Sequence, residues 1–201
     1  MRIVELLEGY DIFKDDYEYR GEHTAPDREQ GSPLYDLTLN DTFPADLYTR
    51  NGLAYYGNGS DEDFESYRII LAYKNKPNTL VNVYRAVPDP LKGLQKKINT
   101  LEKQKAAYMR RGTVPSDAGL LNGSQWYERA SDELDRLMAL PQQPTQKITI
   151  NPGDWVAISK RYAKEHGESH LNNEYKIITK KVKAKDIFCV GDLSEWGYDP
   201  T

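Results

Sequence analysis

The chain is poor in the residues from which the commonest metal and disulfide sites are built. Its 201 residues include one cysteine, Cys189, and three histidines. A lone cysteine excludes an intramolecular disulfide framework and the cysteine-rich zinc sites. His23, His166 and His170 read as isolated side chains, so no metal site is expected. No apolar run approaches the roughly 18 residues needed to cross a bilayer. The start MRIVELLEGYDIF lacks a charged segment followed by a long apolar one, as a secretion signal would have. We therefore expect a soluble protein of a reducing cytoplasm. The patterns GxSxG, GxxxxGK[ST] and GxGxxG are missing too, which removes the usual hydrolase, P-loop and dinucleotide-fold readings.

What is present is a polar, tyrosine-rich chain with its charge divided unevenly. Fifteen tyrosines against four phenylalanines bring aromatic residues to 11%, too many for a disordered segment. The net charge is only −4. Residues 1–66 nevertheless hold 16 acids and 5 bases, whereas 91–111 hold 7 bases and 1 acid, and 160–185 hold 8 bases and 3 acids. Such a distribution excludes a uniformly basic nucleic-acid coat and leaves room for a local anionic ligand.

The residue pattern predicts an α+β fold. Residues 1–33, acidic and broken by Gly9, Gly21, Pro26, Gly31 and Pro33, read as a loosely structured arm. The rest, 34–201, reads as one domain. Residues 34–56 suggest two short helical turns, the second from near Pro44 to Gly57. DFESYRIILAY has helix-spaced apolar residues ahead of Pro77. LVNVYRAV, rich in β-branched residues and followed by Pro88, predicts a strand. From 91 to 140 the texture changes. Leu91, Leu94, Ile98, Leu101 and Tyr108, then Tyr127, Ala130, Leu134 and Leu137, follow a 3-4 spacing that predicts an αα-hairpin inserted into a β-rich core. The β texture resumes in QKITI and DWVAIS. KRYAKEHG reads as one or two helical turns closed by Gly167, and YKIITKKV as a strand.

Three residues stand out chemically. Arg85 lies inside an apolar strand, where a guanidinium needs a carboxylate or an anionic ligand; the strand alone does not choose between them. Ser159 ends DWVAIS and suits the cap of the following helix, a role that leaves its hydroxyl able to meet a ligand as well. Glu195, in SEWGYDP beside two aromatics, is either a surface acid or a carboxylate tuned to stabilise positive charge.

Taken in order, VYRAVP, NPGDWVAISKRYAKEHG and EWGYDP resemble the ADP-ribosyltransferase-like domain of bacteriophage and mobile-element polyvalent proteins, of the Arg–Ser–Glu class. The resemblance is dense over 80–88 and 146–200, thinner over GSPLYDLT and PADLY…AYYG, and does not cover 91–140. It implies a split β-sandwich, with helices before it, that grips NAD between two small sheets. It also implies that Arg85, with Ala86 beside it, holds the phosphate and ribose side. Ser159 would support the nicotinamide ribose and the glutamate, Tyr162 would stack on nicotinamide, and Glu195 would be the catalytic carboxylate. Trp155 and Trp196 are lesser candidates for the cleft wall, with core packing the more ordinary role for both. Nicotinamide–ribose cleavage builds positive charge on the sugar, so a carboxylate on the ribose 2′-hydroxyl gains strength as the bond breaks.

The implied activity is NAD-dependent mono-ADP-ribosyl transfer to a bacterial host macromolecule, a protein more than a nucleic acid, in the host cytoplasm. No membrane and no metal is involved. Many family members carry Glu or Gln two residues before the catalytic glutamate; here Leu193 stands there, which leaves NAD glycohydrolysis as an alternative. A further alternative is a catalytically silent protein that inhibits a host factor by occupancy, docking through 91–140. On that alternative, Glu195→Gln would keep the biological effect and charge reversal at Lys96, Lys97 and Lys103 would abolish it.

Overall fold

A computed structural model describes residues 24–116, 118–119, 121–140 and 148–200. In chain order its elements are β1 (Ser32–Pro33), α1 (Gly52–Tyr56), α2 (Asp61–Tyr73), β2 (Leu80–Pro88), α3 (Pro90–Arg111), α4 (Gly123–Ala139), β3 (Trp155–Val156), α5 (Lys160–His170), β4 (Tyr175–Lys183), β5 (Ile187–Cys189) and β6 (Trp196–Tyr198). Single 3-10 turns lie at Leu39–Asp41, Ala45–Tyr48 and Ala184–Asp186. The fold is α+β with two antiparallel sheets, one of four strands in the order β1-β5-β6-β3 and one of two, β2-β4. The chain divides into two compact units, one containing α3 and α4 and the other the sheets with α1, α2 and α5.

In the β-containing unit, alternation along β2 decides which side faces inward. Val81, Val83, Arg85 and Val87 are buried while Leu80 and Asn82 are exposed. Register pairs Val81 with Val182, Val83 with Lys180 and Arg85 with Ile178. Val81, Val83 and Val182 join Leu34, Leu37, Leu47, Ile70, Ile158, Ile187, Cys189 and Trp196 in one apolar core. Burial pushes the Cys189 thiol up to about 12, because a thiolate there would lose its hydration. Among the described residues the two sheets are joined by a bridge at which Tyr84 and Ala157 exchange backbone hydrogen bonds of 2.8 Å in both directions.

Local chemistry accounts for the helices. The Ser60 side chain caps α2 by accepting from the Asp63 N–H at 3.2 Å, and the acidic first turn, Asp61 to Asp63, suits the positive end of the helix dipole. In the other unit, α3 begins with proline and ends at Gly112 in the left-handed region, φ 63°, the conformation that favours glycine. A capping box formed by Asn122 and Gln125 opens α4. Leu94, Ile98 and Leu137 form one buried cluster between these helices, and Trp126, Ala130 and Ala118 another.

Several expectations need correction. Residues 1–23 of the expected arm lie outside the described residues. Residues 24–33, however, are not loose: β1 pairs with β5, and Arg28 binds Asp199 through Nε at 2.8 Å. Gly197 explains why this segment packs so closely, since a Cβ there would collide with the Pro26 carbonyl. Residues 148–150 form no strand; the Ile150 carbonyl instead accepts from Lys180 Nζ at 2.8 Å. Gly167 does not end α5, which runs on to His170. The glycine lets the Tyr175 ring pack against the helix where a Cβ would clash.

Candidate functional site

The three singled-out residues lie in or next to β2, β3 and β6. Arg85 and Ala86 follow Tyr84 in β2, and Tyr84 bridges Ala157. Ser159 follows two residues after Ala157. On the other side β3 pairs with β6, Val156 opposite Trp196, and Glu195 directly precedes Trp196. All of them belong to the β-containing unit.

Arg85 is committed within the protein. Its Nη1 lies 2.5 Å from Asp154 Oδ1, with the two side chains 8% and 4% exposed. Asp154 Oδ2 also accepts from the Asn151 N–H at 2.8 Å, so the acid closes the Asn151-Pro152-Gly153 turn while neutralising the guanidinium. Two charges buried this deeply require such pairing. The ion-pair alternative for Arg85 is thus the one seen, with Asp154 as a partner. The sequence reading took this aspartate only as the start of the strand segment DWVAIS.

Ser159 performs the expected cap: its Oγ accepts from the Tyr162 N–H at 3.2 Å. The same hydroxyl donates to Glu65 Oε2 on α2 at 2.8 Å. Its carboxylate partner is therefore Glu65, not Glu195. Glu195 is held by Tyr162, whose hydroxyl donates to Oε1 at 2.6 Å. Burial and the adjoining carboxylate raise the Tyr162 pKa far above the usual phenol range, which keeps the hydroxyl a donor. Tyr162 thus reaches the site with its polar end toward the carboxylate.

The backbone that delivers Glu195 is anchored from α2. Ser194 Oγ donates to Asp63 Oδ1 at 2.9 Å, and Ser66 Oγ lies 3.3 Å from Ser194 Oγ. Asp63, Ser66 and Ser194 are all buried. Asp63 Oδ2 accepts from the Asn58 N–H at 2.6 Å, and the Ser194 N–H donates to Asp192 Oδ1 at 2.7 Å. This network was missed from sequence. Its one legible trace is the Ser60-x-x-Asp63 cap, a signal of helix start and not of a site.

One turn beyond Tyr162 on α5, the half-buried His166 stacks on His170 with ring centroids 4.5 Å apart. The two histidines read as isolated are therefore neighbours. Burial, then the adjacent His170, lower the His166 pKa; Glu195 opposes that shift and Arg85 reinforces it. No group of three His, Cys, Asp or Glu side chains able to hold a metal occurs among the described residues. Trp196 is fully buried, with Nε1 donating to the Leu193 carbonyl at 3.0 Å, which makes it a core residue and not a cleft wall. Trp155 is half-buried.

The arrangement offers an oriented carboxylate, a fixed hydroxyl and a tyrosine ring at the start of one helix, next to a neutralised arginine. These groups suit a polyhydroxylated ligand better than a bare anion. No family model, curated protein or solved structure matches the chain.

Proposed function

We propose that the chain is an NAD-dependent mono-ADP-ribosyltransferase of bacteriophage or mobile-element type, transferring ADP-ribose to a bacterial host macromolecule. The observation that supports it most is the convergence of its quoted motifs: β2 bridges the β3 segment, β3 pairs with β6, and Ser159 and Glu195 are linked through Tyr162. Two small antiparallel sheets joined by this bridge also suit the split sandwich that the resemblance implies.

The donor set fits the ribose end of NAD. The Glu195 carboxylate would accept from a ribose hydroxyl and stabilise positive charge growing on the sugar. The Tyr162 hydroxyl fixes that carboxylate, and the Tyr162 ring supplies a flat apolar face. At the pyrophosphate end the fit is weaker, because Asp154 neutralises Arg85. Arg85 then serves mainly to keep β2 and the 151–154 turn in register, and a bidentate phosphate grip is not assigned to it. When bound, NAD supplies the activated nicotinamide–ribose bond; the protein supplies orientation and charge.

Labelled NAD added to bacterial lysate with the purified chain tests this reading. Wild type should label host material and Glu195→Gln should not. Equal labelling by the two proteins, or none by either, contradicts it.

Glycohydrolysis is the second reading, favoured by the surroundings of Glu195. Leu193 is buried and apolar, and Asp192 is engaged with its own loop through the Ser194 N–H. Leu193, at the position where a Glu or Gln would stand, offers no polar group for an acceptor. Nicotinamide release at a rate indifferent to added lysate selects this reading.

A further inference from the structure

Ser159 sits where the reading above needs a ligand contact, yet its hydrogen-bonding capacity is largely used. A serine hydroxyl has one proton and two lone pairs. The proton goes to Glu65 Oε2 at 2.8 Å and one lone pair to the Tyr162 N–H at 3.2 Å. A hydroxyl donating to a carboxylate makes a bond roughly twice as strong as a neutral one, so rotation about the C–O bond is suppressed. The remaining lone pair can only accept.

Glu65 is itself held by an element that is tied down on both sides. Its helix, α2, is joined to α5 by the Arg161–Asp61 ion pair and to the Glu195 loop by the buried Asp63–Ser194 hydrogen bond. The carboxylate is therefore presented to Ser159 from a fixed direction, between the two segments that carry Ser159 and Glu195. Nothing in the resemblance assigns a role to this helix.

We infer that Glu65 is a positioning residue of the site: by holding the Ser159 proton it makes Ser159 a pure hydrogen-bond acceptor, which selects a sugar hydroxyl donor as its ligand partner. The inference rests on the NAD reading. Without Glu65 the Ser159 hydroxyl is free to turn its proton toward the ligand. It would then present a proton where the sugar hydroxyl needs an acceptor.

The test is nicotinamide release from NAD by the full chain with bacterial lysate as acceptor, comparing wild type, Glu65→Ala, Glu65→Gln, Ser159→Ala and the Glu65→Ala/Ser159→Ala double variant. Loss of orientation should lower kcat in Glu65→Ala on the order of tenfold to a hundredfold, with KM changed far less. The double variant should be no slower than the slower single variant, since both remove one interaction. Glu65→Gln, whose amide oxygen still accepts from Ser159, should recover most of the rate. If Glu65→Ala does not fold, Glu65→Asp replaces it, because the shorter side chain keeps the charge and loses the reach. Wild-type kcat in Glu65→Ala or Glu65→Asp, or losses that multiply in the double variant, overturns the inference while leaving the NAD reading standing. A wild type that releases no nicotinamide removes both.

Discussion

A guanidinium buried in an apolar strand needs a counter-charge, and at Arg85 that charge is Asp154. The strand LVNVYRAV announces the need; the partner lies far along the chain, in a turn whose proline and glycine draw attention to backbone shape instead. Ser159 shows the same division. Its capping role follows from its place before KRYAKEHG, whereas its bond to Glu65 depends on how α2 packs beside α5, which no local pattern encodes. The pairing of Arg85 with Asp154 leads to a stability prediction. Asp154→Ala leaves the arginine buried with its main counter-charge gone and should cost about 3–5 kcal/mol, read as a lower denaturant midpoint. Replacing both, as Arg85→Met with Asp154→Leu, should cost much less, because no stranded charge remains. Equal losses in the two variants would mean that the ion pair is not what Asp154 contributes.

Among the elements, α5 carries most of the site: Ser159 opens it, Tyr162 holds Glu195, and His166 follows one turn later. Helical spacing makes the Tyr162, His166 and His170 face legible, but the sequence reading stopped the helix at Gly167 and so separated the two histidines. What glycine signals here is the Tyr175 ring against the helix, a tertiary contact. The lowered pKa of His166 has a sign that can be worked out. Unfolded chains bind a proton near pH 6.5, whereas the folded site resists it, facing Arg85 on β2 and His170 on its own helix, with Glu195 alone in favour. The stability is complete above about pH 6.5 and is lost as pH falls through the lower, folded value. His166→Gln should flatten that decline, measured as denaturant stability between neutral and mildly acidic pH; an unchanged slope would show that His166 is not its source. In β6, Gly197 admits the Pro26 backbone, so Gly197→Ala should destabilise by about 1–3 kcal/mol or more. Thermal unfolding checks this, and an unchanged midpoint would mean that residues 24–33 yield easily.

For the molecule as a whole, the α+β class and the helical pair in 91–140 were legible because both depend on local periodicity. The 3-4 apolar spacing survives as the buried Leu94, Ile98 and Leu137 cluster. Sheet order was not legible from periodicity, since pairing β3 with β6 joins segments remote in sequence, and neither strand exceeds three residues. The modest net charge of −4 conceals a division that the fold makes concrete. Several acids of the first third lie on α2, where Asp61, Asp63 and Glu65 engage Arg161, Ser194 and Ser159. The acidic third thus contributes directly to the candidate site.

We propose that Glu195, held by Tyr162, drives cleavage of the nicotinamide–ribose bond. The most direct measurement is nicotinamide release from NAD by the purified chain, with and without bacterial lysate as acceptor, for wild type and Glu195→Gln. The account predicts release by wild type and a loss on the order of a hundredfold or more in the variant, the scale expected when one charge-stabilising group is removed from the transition state. Release that is absent in wild type, or equal in Glu195→Gln, would contradict it.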